Sequence, residues 1–283
     1  MTHLLEFDTE SLTRNFAKAP FAVKHNLAEH PLLDLDRIAD LAESLSSSQV
    51  ESNRGDVPEV LPGGVVEKTD LSPGEIVRGI EDNGHWIVLK RIESDPEYSQ
   101  LLEDSLAEVI PHVAHQEGGA NRKEAFLFMS APNSTTPSHI DPEHNLLLQV
   151  RGTKNMIVGQ FPDPQSEQKE IERYYGGGHR NLSSMPDDAT TFAMRPGDGV
   201  YVPPHAPHMV KNGPALSISF SITFYTDEVE RLGDLHSINA RLRKVGLSPQ
   251  QPGARPGSDR FKASLWRRAR RTSRALRRRR EHA

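Results

Sequence analysis

The sequence predicts a mainly β fold, an antiparallel sandwich or barrel with flanking helices, and three observations carry that expectation. From residue 125 onward, short apolar runs are separated by Pro, Gly and Asn clusters at the spacing of such folds. In the last run, Leu216, Ile218, Phe220, Ile222 and Phe224 alternate with Ser217, Ser219, Ser221 and Thr223, a period of two. Apolar residues at helical spacing are concentrated before residue 113 and after residue 226.

Residues 1–60 read as helical and loop-like. Leu32, Leu35, Ile38, Leu41, Ala42 and Leu45 are spaced for a packed helix face, with Asp34 or Asp36 as a start and Ser46, Ser47 and Ser48 as a stop. Pro58, Pro62, Gly63 and Gly64 mark a loop. A strand is expected at 85–92 and a helix at 95–112, with Leu101, Leu102, Leu106 and Ile110 on one side and Pro111 near its end. Gly118 and Gly119 form a loop, after which strands are expected at 125–129, 145–150, 155–161, 190–194, 199–202 and 216–225. The hydroxyl-bearing face of the last suits an enclosed polar cavity or a solvent-facing edge equally. Residues 227–245 read as a helix whose stripe of Val229, Leu232, Leu235, Ile238 and Leu242 needs a partner, either its own barrel or a second copy in a homodimer. The organisation expected is a helical and mixed region at 1–120, a β core at 121–226, a helix at 227–246, a Pro/Gly linker at 247–258 and a basic amphipathic tail at 259–283.

Among the 283 residues, 35% are hydrophobic and 26% charged, and no cysteine occurs, which removes disulfides, thiolate metal sites and cysteine nucleophiles. The first residues lack a basic start followed by an apolar run, and no stretch approaches the roughly 20 apolar residues of a membrane span, so a cytoplasmic location is expected. Charge is unevenly spread. Residues 255–283 carry twelve basic side chains against Asp259 and Glu281, which leaves a net −15 on the rest of a chain whose total is −5. Such a tail suits nucleic acid, an anionic membrane surface, or solvent and its own acidic body; all three stay open.

His139-Ile140-Asp141, followed 67 residues later by His208, is the chemically richest pattern. About one His-x-Asp match is expected by chance in a chain with 13 histidines, so the triplet needs its surroundings to mean anything. Two imidazoles and a carboxylate can cover one face of an Fe(II) ion and leave the opposite positions open. Pro137 and Pro142 hold the triplet out of a helix, and turns at 197–199 and 203–207 bring His208 to the head of a further strand. His205 is the rival third ligand, and His144, His112 and His115 read as surface or second-layer histidines. Lys154, heading the strand after the Arg151-Gly152-Thr153 turn, could face a dicarboxylate, with Thr136 as a hydroxyl donor to the same group.

The runs TTPSHIDPEHNLLLQVRGTKNMIVGQFPDP and GDGVYVPPHAPHMVKN resemble the JmjC/cupin-like Fe(II)/2-oxoglutarate dioxygenases, and in particular the branch of the factor-inhibiting-HIF asparaginyl hydroxylase. Thr136, Pro137, His139, Asp141, Asn145, Gln149, Gly152, Lys154, Tyr201, Pro203 and His208 carry the resemblance, which covers about residues 125–226. It implies a double-stranded β-helix (a jelly roll), with His139, Asp141 and His208 on Fe(II), and Thr136, Lys154 and Asn145 around 2-oxoglutarate. Where the family often has a late-strand Asn on the cosubstrate, this chain has Ser221, and Ala206-Pro207 replaces the aromatic pair before the distal histidine. The activity implied is a dioxygenase that hydroxylates a protein or peptide side chain. A small-metabolite hydroxylase and a noncatalytic cupin-like binding protein are the alternatives.

Overall fold

The computed structural model describes residues 3–54, 57–60, 69–264 and 266. Two compact units emerge, one of residues 1–161 with 180–226, the other of residues 162–179 with 227–283.

In the first unit, the elements up to residue 117 are β1 (Leu5–Glu6), α1 (Thr9–Asn15), β2 (Phe21–His25), α2 (Leu35–Ser44), β3 (Val50–Arg54), α3 (Pro73–Arg78), β4 (His85–Lys90) and α4 (Pro96–Glu117). The strands that follow are β5 (Asn121–Ser130), β6 (Thr135–His139), β7 (His144–Arg151), β8 (Lys154–Gln160), β9 (Asp187–Met194), β10 (Asp198–Val202), β11 (His208–Asn212) and β12 (Ser217–Tyr225). They form an eight-stranded sheet in the order β1-β2-β10-β7-β12-β5-β4-β3 and a four-stranded sheet in the order β6-β11-β8-β9, with every pairing antiparallel. From β5 on, the chain crosses between the two sheets at every step except the β8–β9 hairpin, and so closes a jelly roll.

The large sheet is covered on both faces. Even-numbered residues of β7 and β12 (Leu146, Leu148, Phe220, Ile222, Phe224) join a core that also holds Leu12, Phe16, Ile38, Leu41, Leu102 and Leu106 from the helices. Leu147 of β7 and Val200 and Val202 of β10 point the other way and meet Met156, Val158 and Val210 of the small sheet. Period two therefore sorts each strand between a helix-side core and an interior between the sheets. This decides the hydroxyl face of β12. Ser217, Ser219, Ser221 and Thr223 lie on that interior and are buried, and β12 sits mid-sheet with no solvent edge.

Local chemistry sets the boundaries. Asp34 caps α2 through the Asp36 N–H, and Asp95 caps α4 through Glu97 and Tyr98. Gly152, at φ 72°, turns β7 into β8 where an added Cβ would lie 2.1 Å from the Leu216 carbonyl oxygen.

Several expectations need correction. Residues 1–60 are not only helix and loop, since β1, β2 and β3 lie there, and Phe21, Val23 and His25 of β2 are buried in alternation with exposed Ala22 and Lys24. Helix α4 does not end near Pro111 but runs on to Glu117. Proline removes one N–H, yet buried Val109 and Val113 hold the helix together on either side.

In the second unit, α5 (Pro164–Tyr175) and α6 (Asp227–Lys244) pack together, Gly233 of α6 meeting Tyr175, which stacks on His236. Val229 and Leu235 of the stripe on α6 are buried and Leu232, Ile238 and Leu242 half-buried within the single chain, so the bare stripe that motivated a homodimer through 227–245 is absent. Residues 256–264 are helical, so the linker expected at 247–258 is cut short by three residues. Most of the basic tail, residue 265 and residues 267–283, lies outside the described residues.

Candidate metal centre

His139 ends β6 and His208 opens β11, and the two are direct cross-strand partners with ring centroids 4.1 Å apart. Asp141 lies just past the end of β6. One donor atom from each of His139, Asp141 and His208 falls within 4.8 Å of the other two. The Asp141 Oδ2 is 3.4 Å from His139 Nε2 and 3.5 Å from His208 Nε2.

The ring tautomers follow from the partners. His139 Nδ1–H donates to the Pro137 carbonyl at 2.7 Å, and His208 Nδ1–H to the Ala206 carbonyl at 2.8 Å. A carbonyl cannot donate, so each proton sits on Nδ1 and each Nε2 presents a lone pair toward Asp141 Oδ2. Burial, then the neighbouring His208 and Arg180, lowers the His139 pKa to about 4, so its imidazole is neutral and ready to ligate at neutral pH.

Burial pushes the Asp141 carboxyl up, but the Arg180 guanidinium outweighs it and holds it well below the usual carboxylate range. Arg180 engages Asp141 Oδ1 at 2.8 Å, which leaves Oδ2 to the histidine pair. Residues 180–182 run alongside β6, with Ile140 N–H on the Arg180 carbonyl and Leu182 N–H on the Ser138 carbonyl, and so deliver the guanidinium. Sequence reading missed Arg180, because only this pairing across 39 positions brings it to Asp141. Glu143 was missed too. Burial, then the Asp141 charge, raises its pKa to about 8, and the Tyr225 hydroxyl donates to it at 3.0 Å.

The rival histidines go elsewhere. His205, at φ 62°, sits in the turn before β11, and its backbone N–H donates to the Asp141 carbonyl at 2.7 Å, pinning the turn rather than entering the donor cluster. His144 is neither a surface nor a second-layer group. It is fully buried on the helix side of β7, stacked on Phe16 at 4.6 Å and Phe224 at 4.9 Å, with Nδ1 2.8 Å from the Tyr201 hydroxyl. Neighbouring strand residues face opposite sides, so Asn145 faces the interior while His144 faces the core. His112 meets the Phe7 ring edge-on.

Lys154 is 5% exposed and shares the inner face of β8 with Met156 and Val158. Burial alone lowers its pKa to about 7, and no carboxylate among the described residues pairs with it. Val158 pairs with His208, so Lys154 starts four residues, about 13 Å, further along the strand. Thr136 is half-buried opposite inward-facing Val210. The Ser221 hydroxyl donates to Asn145 Oδ1 at 2.8 Å, joining two of the expected cosubstrate residues on the opposite wall. Ser219 donates to Gln149 Oε1 at 2.7 Å, and Gln149 Nε2 donates to the Ser217 hydroxyl at 3.0 Å. The interior thus carries a donor cluster toward one end and a buried cation toward the other, with the side chains of Met156, Val158 and Val210 between them and a row of polar side chains from β7 and β12 on the facing wall.

Residues 103–232 match the family model of the JmjC domain. A stretch of 104 residues, 33% of this chain, is 28% identical to Jumonji C domain-containing protein 5 of Drosophila melanogaster, and spans 26% of that protein's length. The structure of Escherichia coli YcfD is similar with a TM-score of 0.52 and 18% identity, over 94% of this chain and 68% of YcfD. A structure of the same bacterial protein described as a ribosomal oxygenase in complex with cobalt and 2-oxoglutarate gives a TM-score of 0.52 at 17% identity, covering 94% of this chain and 67% of that one. At these identities the structural likeness speaks to the fold, the jelly roll built above.

Proposed function

We propose that this JmjC-domain chain is an Fe(II)- and 2-oxoglutarate-dependent oxygenase that hydroxylates a protein or peptide side chain. The observation that carries the reading is the triad of His139, Asp141 and His208, tautomers set for ligation, at one end of the interior between the sheets, with a buried ammonium on the same inner face that no carboxylate among the described residues pairs with. The donor set fits a divalent iron: two neutral imidazoles and one ionised carboxylate are the borderline and hard donors that ion favours. The description of the bacterial fold neighbour as an oxygenase bound to cobalt and 2-oxoglutarate supports the choice of cosubstrate.

Each group of the chain then has a part. His139, Asp141 and His208 would hold the metal through Nε2, Oδ2 and Nε2. Arg180 keeps Asp141 ionised and occupies its second oxygen, which fixes the carboxylate plane. Lys154, with the Thr136 hydroxyl, would anchor the distal carboxylate of the cosubstrate, whose charge replaces the missing counter-ion. Asn145 and Ser221, joined by their hydrogen bond, would line its other side. When bound, the metal would supply the oxidising chemistry with 2-oxoglutarate and dioxygen as cosubstrates, one oxygen atom ending in succinate, released with CO2, and the other in the hydroxyl of the product. The two sheets keep bulk water from that centre.

The protein or peptide substrate is part of this proposal, as are the branch kinship with the factor-inhibiting-HIF asparaginyl hydroxylase and the cytoplasmic location. The block from Thr136 to Lys154 supports the branch, while Ala206 and Pro207 in place of the aromatic pair argue for a different substrate. For the basic tail we propose a polyanion contact, nucleic acid first, since eleven of its twelve cations are arginine, the side chain suited to bidentate phosphate binding. Deleting residues 255–283 should abolish salt-sensitive polynucleotide binding and leave 2-oxoglutarate turnover unchanged. The deciding experiment is succinate formation from 2-oxoglutarate with added Fe(II), in wild type and His139→Ala. Turnover that survives the substitution places the chemistry elsewhere, and a wild type that binds metal yet never forms succinate leaves a noncatalytic binding protein.

A further inference from the structure

Asn212, the last residue of β11, is the direct cross-strand partner of Lys154. His208, Val210 and Asn212 occupy one face of β11, as Lys154, Met156 and Val158 do of β8, so both side chains enter the interior between the sheets. The Asn212 amide is held rigidly. Its Nδ2 donates to the Ser134 carbonyl at 3.0 Å and to the Ser134 hydroxyl at 3.2 Å, and its backbone N–H donates to the same carbonyl at 2.9 Å. A carbonyl accepts only, so Nδ2 must face Ser134 and Oδ1 must face away from it. That Oδ1 is buried with no hydrogen-bond partner. Two complementary orphans therefore share one layer, an ammonium with no acceptor and an acceptor with no donor among the described residues. A cavity of about 310 Å³ at the far end of the small sheet from the histidines is lined by both residues, together with Met194 and Arg195.

We infer that Asn212 is a positioning residue for the cosubstrate: its Oδ1 accepts one N–H of Lys154 and aims the other two at the distal carboxylate. The inference rests on the reading of Lys154 as the 2-oxoglutarate anchor. A buried amide oxygen left unpaired costs free energy, and so does a buried ammonium with no acceptor; one rotamer of Lys154 relieves both. Lysine has three donors and a carboxylate uses two of them, which leaves one for Asn212. Around Lys154, β8 supplies Met156 and β9 supplies Met194; Arg195, Asp198 and Lys211 line the same cavity, yet burial is what lowers the ammonium and none of the three pairs with it. The neutral dipole of Asn212 is the polar group placed to favour the ammonium form without competing for the anion.

The test is Asn212→Ser in the full chain, with Ser134→Ala as the structural control. The serine hydroxyl can still donate toward the Ser134 carbonyl but falls short of Lys154. Asn212→Ser should raise the KM for 2-oxoglutarate roughly tenfold, the weight of one charge-assisted hydrogen bond, with kcat held within about twofold. The high-pH limb of kcat/KM should move to lower pH, because the ammonium has lost its acceptor. Ser134→Ala, which loosens the clamp and keeps the acceptor, should leave both KM and the pH limb in place. A KM within about twofold of wild type, or a Ser134→Ala variant that shows the same change, overturns the role of Asn212. Should Asn212→Ser fold poorly, Asn212→Thr is read in the same way. A wild type that neither binds nor turns over 2-oxoglutarate while binding Mn(II) fails at the anchor itself and removes this inference with it.

Discussion

Replacing Lys154 with methionine should make the ligand-free protein more stable while destroying its capacity for the cosubstrate. Lys154 is buried, and burial lowers its pKa from 10.5 to about 7. The unfolded chain therefore binds a proton more tightly than the folded one. The penalty is full below pH 7, shrinks as pH rises from 7 to 10.5, and vanishes above. At 1.36 kcal/mol per pKa unit, the shift from 10.5 to about 7 corresponds to about 5 kcal/mol at the acid end and about 4 kcal/mol at pH 7. Relaxation and water entry around the wild-type ammonium trim this, so a gain of about 2 kcal/mol is the working figure for Lys154→Met at pH 7. For a unit of this size that is a rise in Tm of roughly 4–8 °C. Methionine is unbranched and of similar length, so Met156 and Met194 around it need not move. Thermal and urea unfolding of both proteins from pH 6.5 to 10 check the difference, which should close as pH rises. With Mn(II) present throughout, adding 2-oxoglutarate should raise the wild-type Tm further and give the variant a much smaller rise. A variant less stable than wild type at pH 7, or a gap that widens toward pH 10, refutes the view of Lys154 as an uncompensated buried cation.

Two further outcomes follow from the same geometry. Arg180→Gln removes the charge that keeps Asp141 ionised, so the Asp141 pKa should climb toward the ordinary carboxylate value; cobalt titrations between pH 5 and 7.5 should then lose affinity at a higher pH than in wild type, and superimposable curves would exclude that role. His144→Leu strips the stack between Phe16 and Phe224 and leaves the Tyr201 hydroxyl and Glu117 short of a partner. It should cost about 2–3 kcal/mol in urea unfolding and leave cobalt affinity unchanged, whereas a drop in metal affinity would return His144 to the neighbourhood of the centre.

The parts of this molecule legible in its sequence are those governed by local rules. The alternation along β12 reads directly as a strand, and Asp34 and Asp95 announce α2 and α4 because a capping carboxylate acts within three residues. The His139–Asp141 pair and Lys154 were legible because they sit at fixed offsets within one short run of sequence, which β6 and β8 then carry to either side of β11. Other features depend on distant partners. Helix α5 buries only Ile171 and Glu172, too little apolar surface to show a stripe, and β3 has one buried residue, Asn53. His144 was misjudged because its surroundings come from Phe16, which lies 128 positions earlier. Arg180 and Asn212 acquire meaning only through register, and register is a property of the sheet rather than of any short stretch.

His139 and His208 face each other across an antiparallel pairing, so backbone hydrogen bonds set their separation before any ion arrives. A clamp built this way has little to gain from choosing its occupant by fit. Manganese, cobalt, nickel and zinc should all settle into it without reshaping the strands, ranked by their intrinsic appetite for nitrogen and oxygen. The ion found in the purified protein will then report what the surrounding medium offered, and iron must be supplied and kept reduced by the cell rather than selected by the chain.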